Sequence, residues 1–160
     1  MTTANILISL ARSIRAHTRR YLSCCSLDFL TWAPAGTSNH ILWHAGHAVW
    51  LQDALGLVPM TGRSYLPEGW RETFGQHSRP ERTQHHWPSA KDVDEQLARQ
   101  LELWVHTVEQ LPAHRWDDPE PHSINGWPLL QGVLHGWHDE AKHQGEMYLL
   151  LKMQQHASSQ

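Results

Sequence analysis

Apolar side chains recur at three- and four-residue steps in four long stretches of this chain. No run alternates with the two-residue period of a half-buried strand. In the first stretch Ile6, Leu7, Leu10, Ile14, His17 and Tyr21 fall on one side of a helix. The pattern breaks within "LDFLTWAPAGTSN", where Pro34 and Gly36 interrupt it. A second helix is expected to start after Thr37, Ser38 or Asn39, each a good N-cap, and to run through "HILWHAGHAVWLQDAL" to a glycine stop at Gly56. From about Leu57 to Pro88 the chain is rich in Gly, Pro, Arg and His and has no clear period. A connection of that length is usually a functional loop or holds short helices of its own.

The third helix is the most clearly written. Ser89 and Asp92 resemble a capping box, Val93, Leu97, Leu101, Trp104, Val108 and Leu111 share one face, and Pro112 ends the run. After the turn-rich "PAHRWDDPEPHSING", a fourth helix starts near Trp127 and Pro128 and reaches about Gln155. Four long helices with two substantial connections predict an all-α four-helix bundle. It forms a single domain over residues 1–156, with 157–160 as a tail, and has a long connection between helices two and three.

Composition narrows the class. With 160 residues, 40% hydrophobic and 18% charged, the chain can bury one core and is neither disordered nor membranous. No apolar run approaches the roughly 20 residues of a bilayer span. The segment "MTTANILISLARSIRAHTRR" is amphipathic and mildly basic, without the continuous apolar stretch of a secretory signal, and reads as a first core helix. A net charge of −3 with no basic stripe argues against nucleic acid as a partner. Cys24 and Cys25 are adjacent, so no disulfide is expected between them, and a reducing cytoplasm is the expected location.

Fourteen histidines and nine tryptophans stand out. Isolated ones such as His77, His106, His114 and His156 carry no pattern, but "HGWHDEAKHQGE", residues 135–146, does. Positions three or four apart on a helix can chelate one ion. His135 and His143 are eight apart, about 12 Å along the axis, and His138 and His143 differ by five, which turns them to different directions. Asp139/His143, His135/Asp139 and His135/His138 remain. Gly132, Gly136, Met147 and Leu150 near the first pair favour it as an inward face with room for an ion. The same spacing also suits a partly exposed polar stripe.

Two ligands need a third, and helix two offers His44 and His47 in "WHAGHAVW", with His40 one turn back. Either could equally be ordinary packing beside Trp43 and Trp50. Two histidines and a carboxylate with open positions form a catalytic pattern, acceptable to Zn²⁺, Fe²⁺, Ni²⁺ or Mn²⁺.

These residues resemble the DinB/YfiT-like superfamily, four-helix bundles that hold a divalent metal near one end. The likeness covers most of the chain. "LTWAPAGTSNHILWHAGHAVWLQD" is similar to the stretch before and within that family's second helix, and "HDEAKHQGEMYLLLK" to its last helix. The resemblance implies metal ligands His47, Asp139 and His143, with Asp139 where many members have histidine and Glu146 where glutamine is usual. The mycothiol-dependent maleylpyruvate isomerase branch also uses a carboxylate at the Asp139 position.

The implied function is that of an enzyme with one divalent ion, Zn²⁺ first and Ni²⁺, Fe²⁺ or Mn²⁺ as alternatives. It would act on a small molecule by transfer or isomerisation assisted by a low-molecular-weight thiol. Glu146 and His44 are the candidate catalytic groups, and Arg63, Trp70, Arg71 and His77 a candidate lid. Metal-dependent hydrolysis is the alternative chemistry. A non-catalytic, metal-binding or dimerising bundle is the alternative class, since Leu130, Leu134, Trp137 and Tyr148 form a second apolar direction on the last helix. A homodimer is the expected assembly.

Overall fold

Thr2 opens the first helix, its hydroxyl accepting the Asn5 N–H, and α1 then runs Thr3–Cys24. It is followed by α2 (Ile41–Gln52), α3 (Val58–Thr61), α4 (Trp70–Phe74), α5 (Ala90–Gln110) and α6 (Leu129–Ala157). The structure, a computed structural model, describes residues 2–80, 87–118 and 126–157, and no β-strand occurs among them. Residues 158–160 of the expected tail and parts of two connections lie outside the described residues.

Both halves of the Ser89–Asp92 capping box are formed at the start of α5. The cap of α2 differs from expectation. His40, rather than Thr37, Ser38 or Asn39, fills that position, its Nδ1 accepting the Trp43 N–H at 3.1 Å. An imidazole nitrogen there replaces the usual hydroxyl or amide oxygen. Nor does α2 stop at Gly56. One π-helical turn, Asp53–Leu57, carries it into α3, which ends at Gly62 with φ 77°. Single π-turns of this kind insert an extra residue and often sit near functional sites.

The long connection therefore holds α3 and α4, as a connection of its length commonly does. The buried Asp53 carboxylate anchors it, accepting the Ser64 hydroxyl and the Tyr65 N–H, both at 2.7 Å. Trp70 and Phe74 of α4 are core residues, so Trp70 is not part of a lid. Arg63 lies on the Tyr65 ring and donates to its hydroxyl. Arg71 and His77 border a hollow of about 320 Å³ beside Trp50.

In the bundle α1 and α2 each pack against both α5 and α6. One apolar cluster gathers Trp43, Phe74, Leu97 and Met147, and the other gathers Leu7, Trp104, Leu129 and Trp137. On every long helix a polar residue separates the two. Arg15 and Glu140 meet there at 3.0 Å, both fully buried. Thr18 donates to Glu140 at 2.7 Å and Gln52 at 3.2 Å, while Gln100 accepts from Arg15 and donates to the Val49 carbonyl.

This layer explains the misread face of α1. The buried side is Leu7, Ala11, Ile14, Arg15, Thr18 and Leu22, whereas Ile6 is 52% exposed, Leu10 38% exposed, and His17 also faces outward. Two polar residues that hydropathy patterning assigns to water, Arg15 and Thr18, instead point into the core. On α6, Trp137 is fully buried against Trp104, while Leu134 and Tyr148 stay exposed, so the second apolar direction divides between core and surface. Cys24 and Cys25 are free thiols. No described helix is long and apolar enough to cross a membrane.

Candidate metal centre

The sequence "WHAGHAVW" places Trp43, His47 and Trp50 along one side of α2 at four- and three-residue steps. His47 is accordingly held between two indoles, its ring 4.5 Å from Trp43 and 5.2 Å from Trp50, both nearly parallel. Its Nδ1–H donates to the Phe74 carbonyl at 2.6 Å. That bond assigns the proton to Nδ1 and leaves the Nε2 lone pair for an ion, the orientation metal-binding histidines commonly have. Phe74 reaches this place because residue 46 is glycine. A Cβ at Gly46 would overlap the Phe74 ring. Gly46→Ala is therefore expected to displace α4 and destabilise the fold by about 1–3 kcal/mol. Urea unfolding measures the loss, and a fall in ion affinity should accompany it.

From the facing helix α6 come Asp139 and His143. One donor atom each from His47, Asp139 and His143 lies within 4.8 Å of the others. His135 and His138, members of the other spacings that could chelate, belong to no group of three donors among the described residues: His135 is exposed and packs on Trp127, and His138 is exposed. Asp139 meanwhile accepts from Lys142 at 2.8 Å. Partial burial raises its pKa, but the Lys142 hydrogen bond and the nearby histidines outweigh that and hold it below the usual carboxylate value. The neighbouring glycines have another task than leaving room for an ion. Gly136 admits the side chains of Gln52 and Leu55, and Gly132 faces the Leu55 carbonyl, so both seat the π-turn against α6.

His44 and Glu146 stand next to this trio. His44 Nδ1 is 2.9 Å from His143 Nδ1, and His44 Nε2 is 3.3 Å from Glu146 Oε2, itself 3.3 Å from His143 Nδ1. One proton arrangement satisfies all three groups. His143 Nδ1–H donates to His44 Nδ1, and His44 Nε2–H donates to Glu146. His143 then presents Nε2 with a free lone pair, as His47 does. His44 and Glu146 also line a hollow of about 470 Å³, with Thr37, Ser38 and Asn39 on one side and Leu149, Leu150 and Met153 on the other.

Burial is the leading reason that the histidines of α2 are hard to protonate, lowering His40 to about 4, His44 to about 2 and His47 to about 4. At neutral pH they are neutral, as ligation requires. Two imidazoles and one carboxylate, with donor nitrogens already oriented, fit a divalent ion. The same shifts set a pH dependence for the metal-free protein. Unfolded histidines take up protons near 6.5, whereas the folded ones resist until about 4 or below, so stability is full above 6.5 and falls as pH is lowered. Between pH 6.5 and 5 each of the three should cost about 2 kcal/mol. Urea midpoints at pH 7 and 5 measure this, and equal midpoints would contradict it.

Sequence reasoning missed the Phe74 carbonyl, a main-chain group 27 positions from His47 with no side-chain signature. It also missed Ser78, which accepts from the Trp43 indole at 2.9 Å and so steadies the ring stacked on His47. Comparison with known proteins adds a family: the model described as the DinB superfamily matches residues 11–147. No curated protein matches the chain.

Proposed function

Because the chain belongs to the DinB superfamily, we propose that it is a metal-dependent enzyme acting on a small molecule, with thiol-linked transfer or isomerisation as its reaction class. The observation that carries this reading is the convergence of His47, Asp139 and His143 from two helices, with the Nδ1 proton of His47 held by the Phe74 carbonyl. Three protein ligands leave positions open for a reactant, unlike the closed four-ligand set of a structural zinc site. When bound, the ion supplies a Lewis acid that favours the thiolate form of a coordinated thiol. Zn²⁺ is the first candidate, followed by Ni²⁺, Fe²⁺ and Mn²⁺.

The chain's own contribution is orientation and proton handling. Trp43 and Trp50 cover both faces of His47 and keep water from them. Glu146, 60% exposed at the hollow, is the group that can take a proton from an arriving thiol, and His44 links it to His143. A half-apolar, half hydrogen-bonding hollow of about 470 Å³ suits a small substrate. A homodimer is also proposed, through α6, where Leu134 is 43% and Tyr148 48% exposed, and light scattering tests it.

The deciding experiment loads the protein with Co²⁺ and titrates it with 2-mercaptoethanol and cysteamine. A thiolate-to-cobalt charge-transfer band is expected. Its absence in protein that retains cobalt would overturn the thiol reading and favour metal-assisted hydrolysis, for which the His44–Glu146 pair is a ready proton acceptor.

A further inference from the structure

His143 belongs to two groups at once. Besides His47 and Asp139, it lies with His44 and Glu146 in a second cluster whose donor atoms also fall within 4.8 Å of one another. Ligand atoms about 2.0–2.1 Å from a tetrahedral ion stand roughly 3.3 Å apart. His143 Nδ1 stands 2.9 Å from His44 Nδ1 and 3.3 Å from Glu146 Oε2, both close to that spacing, while Glu146 Oε2 is 3.3 Å from the other nitrogen of His44, Nε2. In the metal-free protein the same contacts serve as hydrogen bonds. His44 is only 2% exposed and meets no other hydrogen-bonding group among the described residues.

We propose that the protein has a second divalent-ion position, formed by His44, His143 and Glu146, which is exclusive with the first. Exclusivity follows from the chemistry of neutral imidazole, which has one lone pair and one N–H. With the proton on Nδ1, His143 offers Nε2 to the ion shared with His47 and Asp139. With the proton on Nε2, it offers Nδ1 to the ion shared with His44 and Glu146. The two tautomers therefore correspond to two ion positions and one ion per chain. Only the second position has members, His44 and Glu146, that line the 470 Å³ hollow, so an ion there meets a molecule bound in it. The proposal deepens the metal-enzyme reading and rests on it.

A double-mutant cycle tests this without requiring activity. Asp139 and Glu146 are not buried, and alanine suits a helix at both sites, so Asp139→Ala, Glu146→Ala and the double variant should keep their helical content, checked by circular dichroism. Zn²⁺ affinity is measured against a competing chelator and stoichiometry by elemental analysis. One ion per chain is expected in the wild type and in Asp139→Ala. In the wild-type background Glu146 is only an orienting partner, so its loss should weaken binding by about 10- to 100-fold. In the Asp139→Ala background it is a direct ligand, and its loss should cost more than about 100-fold. Equal factors in the two backgrounds or no ion in Asp139→Ala would overturn the second position while leaving the first intact, and two ions in the wild type would overturn its exclusivity. A wild-type chain that takes up no ion would overturn both.

Discussion

Glu140→Ala should unfold this protein more easily by about 3–5 kcal/mol, the cost of leaving one member of a buried ion pair without its partner. Arg15 and Glu140 are both fully buried, 3.0 Å apart, and Glu140 also accepts from Thr18 and Gln52. Burial pulls the Arg15 pKa down and Glu140 opposes the shift, so removing the carboxylate strands a cation in the core. For a chain of this size the melting temperature should fall by about 10 °C. Replacing both partners together, as Arg15→Met with Glu140→Leu, should cost far less, because a buried pair is often matched by apolar packing. Thermal and urea unfolding of the single and double variants measure the difference. A single variant as stable as the wild type would show that the pair is not sequestered from water.

His143→Ala should abolish specific ion binding, since His143 is common to both donor groups. Even losing an orienting partner costs 10- to 100-fold in affinity at many metal sites, so losing a shared ligand should exceed about 100-fold. His47→Ala should weaken binding by a comparable factor for the first position. Elemental analysis after exhaustive chelation and reloading measures both. Unchanged metal content in the two variants would remove the metal centre from consideration. The side chain of His143 is already 17% exposed at the edge of the core, so helical content should survive its truncation.

Much of this arrangement was legible from periodicity. Helical arithmetic separates His143 from His135 and His138, and the structure keeps both of those outside the trio. The α5 face and its capping box were readable because apolar spacing and cap chemistry agree there. α1 was not, because its buried side carries Arg15 and Thr18, whose partner is 122 or more positions away on α6. No local pattern signals that a charge will find its counter-ion inside. The end of α2 was hidden for a related reason. A π-turn has the composition of an ordinary helix, and Gly56 resembled a stop only because its place in the core cannot be seen from its neighbours in sequence. The orienting role of Phe74 is carried by its carbonyl, which every residue type has.

The polar layer also acts as a gauge of register. Asp139 faces His47, while Glu140, the next residue, faces Arg15. If α6 slid along the bundle by one turn, about 5.4 Å, Glu140 would leave Arg15, Thr18 and Gln52 while Asp139 and His143 left His47. The height at which the ion's ligands meet is thus metered by a neighbouring side chain that points about 100° away around the helix and is not among the ion's ligands.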